Sequence, residues 1–133
     1  MKYRILLVED DEYIGPLMLE ILVKSGYEVI LANGLWSVKK LTHFDFSAVI
    51  TDFCLLDGDA CDVIEFLRSK IPNIPAVVIS GHGTQAVSDC ENRRVAGVVF
   101  VDKPFRPQQL LENLNAFVLT KIMWPVIAED CHS

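Results

Sequence analysis

The chain has 133 residues, enough for one full core and too few for two. Its balance of 51% apolar and 23% charged residues is that of a folded globular domain and excludes a disordered segment. A formal net charge of −6 lacks the basic face that non-specific nucleic-acid binding requires, so no direct contact with nucleic acid is expected.

Tyr3 to Val8 is a short apolar run that ends in Glu9-Asp10-Asp11-Glu12, the pattern of a buried parallel strand. The acids interrupt it too early for a signal peptide, and no later run is long enough to cross a bilayer. The expected location is therefore cytoplasmic, with no membrane contact. Ile14, Leu17, Met18, Ile21 and Leu22 recur at helical spacing, and Gly26 closes that helix. Pro16 is tolerated only in a first turn, which places the start near Tyr13. Glu28 to Ala32 is a second strand, Asn33-Gly34 a turn, and Leu35 to Leu41 a short helix. Ala48 to Asp52 is a third strand ending on a carboxylate. Ala60 to Lys70 is helical, with Val63, Ile64 and Leu67 on one face and Asp59 as N-cap. Pro72 and Pro75 bracket a turn before a fourth strand, Ala76 to Ser80. A helix falls within Thr84 to Arg94 on a thin apolar pattern of Ala86, Val87 and Cys90. Val98 to Val101 is the fifth strand, and Gln108 to Lys121 the last helix, with Leu110, Leu111, Leu114, Phe117 and Val118 facing the core.

Five strand–helix units with strands this apolar need helices on both faces. The fold class is α/β, with a doubly wound parallel sheet and right-handed crossovers. In such a sheet ligands bind beyond the carboxyl ends of the strands. There the first strand delivers Glu9, Asp10 and Asp11, the third Asp52, the fourth Ser80 and the fifth Lys103. Unit charges about 4 Å apart repel by roughly 4 kcal/mol at an effective dielectric near 20. A crevice of carboxylates therefore calls for a cation, and an all-oxygen site suits Mg²⁺. With that charge offset and Lys103 adding another, the Asp52 carboxylate can act as a nucleophile and form an acyl phosphate. Ser80 can donate a hydrogen bond to the attached group.

At these residues the chain resembles the receiver domains of bacterial two-component response regulators, over Lys2 to about Leu119. Ile5-Leu6-Leu7-Val8-Glu9-Asp10-Asp11-Glu12 is similar to the family's acidic motif, and Asp52-Phe53-Cys54-Leu55-Leu56-Asp57-Gly58-Asp59 to its phosphorylation segment. Ser80-Gly81-His82 and Lys103-Pro104-Phe105 match its hydroxyl and lysine motifs. The resemblance implies a flavodoxin-like (β/α)5 fold with strand order 2-1-3-4-5. It implies Asp52 as phosphoacceptor, with Mg²⁺ held by Glu9, Asp10, Asp52 and the Cys54 backbone carbonyl. Ser80 and Lys103 would bind the phosphoryl group, and Ser80 and Phe100 would form the switch. Cys54 and His82 would tune the phosphate's lifetime, and the Lys103–Pro104 bond would be cis. The implied partners are a sensor histidine kinase or phosphotransfer protein as donor and a downstream protein as target, engaged through the face of helix 4, strand 5 and helix 5. Such a protein is a signalling switch that catalyses only its own phosphorylation and dephosphorylation.

The chain departs from the family pattern at Leu56, where proline is usual, and at Ala60, where glycine is usual. Glu9 replaces the commoner Asp. A haloacid-dehalogenase-type phosphatase needs an acid two residues beyond its nucleophile, and Cys54 stands there. A flavodoxin-type FMN carrier needs a hydroxyl- and glycine-rich loop after the first strand, where this chain has four acids. The remaining alternative is a receiver-like docking module that works without phosphorylation. Residues 1–121 are expected to form the receiver domain and 122–133 a tail, with no separate output domain. The apolar cluster Ile122, Met123, Trp124, Val126 and Ile127 would fold back over the domain or support a dimer linked to phosphorylation. Cys54, Cys61, Cys90 and Cys131 match no zinc or C-x-x-C spacing and are expected as reduced thiols.

Overall fold

The computed structural model describes residues 3–116. Phe117, Val118, the domain boundary at residue 121, the apolar tail cluster and Cys131 lie outside the described residues. Five parallel strands, β1 (Arg4–Val8), β2 (Glu28–Ala32), β3 (Ala48–Asp52), β4 (Ala76–Ser80) and β5 (Val98–Asp102), form one sheet in the order β2-β1-β3-β4-β5. The helices are α1 (Ile14–Lys24), α2 (Leu35–Lys39), α3 (Ala60–Lys70), α4 (Gly83–Asn92) and α5 (residues 107–116). This is the doubly wound arrangement expected from the strand–helix alternation, with the flavodoxin-like strand order that the resemblance implied.

The twofold side-chain period of the strands splits the apolar residues between two cores. Ile5 and Leu7 of β1, Ile50 of β3, and Val77 and Ile79 of β4 pack with Met18 and Leu22 of α1 and Leu110 and Leu114 of α5. Leu6, Val8, Val49, Ala76 and Val78 face the other way, onto Val38 of α2, Val63, Ile64 and Leu67 of α3, and Ala86 and Cys90 of α4. β3 and β4 are buried at every residue, as central strands covered on both sides must be, whereas β2 and β5 are partly open at the edges. Each fully buried Ile or Leu contributes about 1.5–3 kcal/mol of transfer free energy, so this layering is the main source of stability.

Helix ends follow local chemistry. The α1 helix closes in a Schellman motif: the Tyr27 amide donates to the Leu22 carbonyl and the Gly26 amide to Val23, with Gly26 at φ +98°. Asp59 caps α3 through a capping box with Asp62, each side chain accepting from the other's backbone amide. The α2 helix is two residues shorter than expected, because the Leu41 amide turns back tightly to Val38. One element was not expected: Cys54–Leu55 pairs antiparallel with Gly58–Asp59, a small hairpin with Leu56 and Asp57 at its tip. Asp57 reaches from that tip to accept the Leu35 and Trp36 amides at 2.9 and 2.8 Å, which caps α2.

Candidate functional site

The carboxyl ends of the strands bring scattered residues together. A cleft of about 260 Å³ is lined by Asp52, Phe53, Cys54, Ser80, Gly81, His82 and Lys103. Lys103 Nζ lies 3.1 Å from Asp52 Oδ1. Carboxylate oxygens of Glu9, Asp10 and Asp52 all lie within 4.8 Å of one another and could hold a metal ion. Backbone pairing sets these positions. The Phe53 amide donates to Ile79 across β3 and β4, and the Lys103 amide donates to the Ser80 carbonyl. The peptide bond between Lys103 and Pro104 is cis, as the resemblance implied.

Glu9 and Asp52 sit in an environment that resists their charge. Glu9 is 4% exposed, and burial, with the neighbouring Asp52 and Asp10 charges adding to it, pushes its pKa up to about 7. The Asp11 amide, which donates to Glu9 Oε1 at 3.1 Å, and Lys103 oppose that rise. Asp52 is 9% exposed, and its pKa is raised by burial and by Asp10, against the pull of Lys103. Three acids facing one lysine leave a negative balance. A hard divalent cation with oxygen ligands would offset it, so the donor set fits Mg²⁺.

The structure divides the first-strand acids between two tasks. Asp10 groups with Glu9 and Asp52 and accepts the Leu56 amide at 3.0 Å, which ties the hairpin tip to the end of β1. A proline at position 56 would have no such donor. Asp11 does not join the cluster. Its Oδ1 accepts the Tyr13 and Ile14 amides at 2.8 and 2.9 Å and so serves the start of α1. These two bonds hold its pKa below the usual carboxylate range.

Ser80 is buried, and its Oγ accepts the His82 amide at 2.9 Å. His82 is exposed at the N-cap of α4, and Cys54 is exposed on the hairpin. Phe100, half-buried on β5, lines a separate groove of about 560 Å³ with Gly83, Thr84, Val87 and Asp102, between α4 and β5. The Leu56–Asp10 and Asp57–α2 contacts escaped sequence reasoning. Their only signal was a polar residue and a free amide in a loop of unassigned path.

An open, doubly wound α/β sheet with carboxylates and a lysine gathered at its strand ends defines the class of domain to which this chain's architecture belongs. Residues 5–115 match the response regulator receiver domain, and the chain belongs to that family, the receiver domains of two-component signalling. It is 30% identical over 117 residues to the chemotaxis protein CheY of Thermotoga maritima, covering 86% of this chain and 97% of that one. It is 31% identical over 110 residues to the transcriptional regulatory protein YrkP of Bacillus subtilis, covering 83% of this chain but 47% of that one. Among solved structures, the non-phosphorylated receiver domain of HemR from Leptospira biflexa superposes with a TM-score of 0.77 at 29% identity, over 88% of this chain and 94% of that one. Among the described residues no helix is long and apolar enough to cross a membrane.

Proposed function

We propose that this chain is a phosphoacceptor switch that takes a phosphoryl group from a phosphohistidine of a sensor kinase or phosphotransfer protein onto Asp52. The observation that carries this is the Asp52 carboxylate at the cleft, 3.1 Å from the Lys103 ammonium and grouped with Glu9 and Asp10. An Asp52 oxygen attacks phosphorus, the P–N bond to the donor imidazole breaks, and the imidazole leaves with the bonding pair. Lys103 holds the Asp52 carboxylate in place and neutralises charge on the incoming oxygens. Glu9, Asp10, Asp52 and the Cys54 carbonyl would hold Mg²⁺, which when bound offsets charge on the phosphoryl oxygens.

In this reading Ser80 releases the His82 amide and donates its hydroxyl to the attached phosphoryl group. The groove beside Phe100 then receives the ring as Ser80 moves. The face of α4, β5 and α5 thereby changes its affinity for a downstream protein, a coupling of about 1–3 kcal/mol in typical cases. Cys54 and His82 flank the path of an attacking water and set the phosphate's lifetime.

The test is incubation with a small acyl-phosphate donor and Mg²⁺, read by intact mass. The native chain should gain one phosphoryl group and Asp52→Asn none. Incorporation by the variant at the native rate would remove Asp52 from this role, and no incorporation by either chain would favour a docking module that works without phosphorylation.

A further inference from the structure

A second group of nucleophilic side chains lies away from the cleft, in the seam between α3 and α4. Cys61 is the second residue of α3 and fully buried, and Cys90, near the end of α4, is 2% exposed. Their Sγ atoms are 3.1 Å apart. That is only about 1 Å beyond a disulfide bond, so a small approach of the two helices would suffice to join them. Two small apolar residues would fill the same space, but they would not place two oxidisable sulfurs in contact.

We propose that Cys61 and Cys90 are a reversible disulfide site, closed by a peroxide, that fastens α4 to the start of α3. In the first step one thiolate attacks the peroxide: an S–O bond forms, the O–O bond breaks, and the released hydroxide leaves as water. In the second step the other thiolate attacks that sulfur, the S–O bond breaks, and its oxygen leaves as a second water. Two thiols and one peroxide give one disulfide and two waters. Burial pushes both thiols above the ordinary range. Whichever sulfur meets the peroxide first is resolved by the other, 3.1 Å away.

Neither sulfur is open to solvent, so the oxidant enters when α4 lifts. The helix is suited to lifting, because it buries only Ala86 and Cys90. Its far end is held by Arg93, whose guanidinium meets Asp59, Asp62 and Glu65 at 3.1, 2.8 and 3.0 Å. Opening of α4 therefore sets the rate of oxidation, and the disulfide then prevents that opening.

The experiment uses the full chain carrying C54S and C131S, which leaves the pair as its only thiols. Folded protein is treated with hydrogen peroxide and followed by intact mass and non-reducing peptide mapping. The expected product has lost two hydrogens, carries one Cys61–Cys90 linkage, and returns to the starting mass with a thiol reductant. The further substitution C61S should convert the loss of hydrogens into a gain of oxygen at Cys90. Adding R93A should speed closure several-fold. Thiols that stay reduced under peroxide exposure sufficient to oxidise Cys54 in the native chain would overturn the site. A closure rate unchanged by R93A would overturn the gating by α4.

Discussion

Two clusters in this molecule have the same inventory, three carboxylates around one cation, and opposite behaviour. At the strand ends, Glu9, Asp10 and Asp52 cluster beside Lys103, whose point charge pairs with one oxygen of Asp52. On the outer side of α3 and α4, Asp59, Asp62 and Glu65 share Arg93, whose planar fork reaches all three. Burial pushes Glu9 and Asp52 up. At Asp62 burial also works upward, but Arg93 and the Asp59 amide outweigh it and hold the carboxyl below its usual range. Charge count alone therefore says little. Solvent access and the number of donors aimed at each carboxylate decide whether a cluster is satisfied or left with charge that a ligand must offset. The cleft cluster is the unsatisfied one, which is what the proposed chemistry at Asp52 calls for.

The largest expected effect separates the two cations. Lys103→Met should lower phosphoryl incorporation at Asp52 roughly 100-fold, the usual consequence of removing one donor aimed at developing charge. Arg93→Ala should leave incorporation near the native rate. Similar losses in both, measured with an acyl-phosphate donor, would erase the functional distinction between the clusters.

The next effect is thermodynamic. The pKa of Glu9 rises from 4.5 unfolded to about 7 folded. Its contribution to stability is thus fully present below pH 4.5 and is lost as pH rises to about 7. That shift corresponds to about 3 kcal/mol, and the raised Asp52 adds in the same direction. Glu9→Gln keeps an oxygen for the Asp11 amide while removing the charge. In chelator-treated samples it should be more stable than the native chain above pH 7 and nearly equal to it at pH 4.5. Urea unfolding across that range checks this, and parallel curves would place the strain elsewhere.

How far these features are legible in the sequence depends on whether local residues or distant ones specify them. The strands were legible because each is a short apolar run ending on a polar group, and β2, β3 and β4 occupy the expected spans. The end of α1 was legible because glycine fills its left-handed position. The end of α4 was not, because Arg94 takes the same role at φ +58°, with the Val95 amide donating to Cys90 and the Arg94 amide to Glu91. No glycine marked that stop. The convergence of Glu9, Asp10, Asp52, Ser80 and Lys103 on the strand ends followed from sheet topology alone. The Arg93 network did not, since its three acids lie 28 to 34 residues away, on α3 and at its N-cap. Nor did the hairpin after Asp52, whose path depends on Asp57 finding the start of α2.

A smaller effect tests the satisfied cluster. Arg93→Ala should cost about 1 kcal/mol, because the partners are partly exposed and screened by solvent. The sign with pH is opposite to that of Glu9. A depressed carboxyl such as Asp62 contributes stability that is present above its unfolded pKa and is lost as pH falls through its folded one. The variant should therefore show its deficit at neutral pH and little at pH 2 to 3, and 0.5 M salt, about a 4–5 Å screening length, should shrink it. A deficit unaffected by salt would mean that Arg93 acts through packing.

The smallest effect lies at the border between the two kinds of carboxylate. Asp11 follows the cleft acids directly in sequence, yet its Oδ1 is taken by the Tyr13 and Ile14 amides. Its depressed pKa has those bonds as its main cause, with a minor contribution from Lys103. A carboxylate already accepting two amides at the start of α1 has no need of a metal to offset its charge. Asp11→Ala should therefore change Mg²⁺ affinity by less than about twofold, whereas Asp10→Ala should lower it at least about tenfold. The Asp11 variant should instead speed amide exchange at Tyr13 and Ile14, where the donors lose their acceptor. Equal losses of Mg²⁺ affinity in the two variants would draw Asp11 into the cleft and undo the division of the first-strand acids between binding and structure.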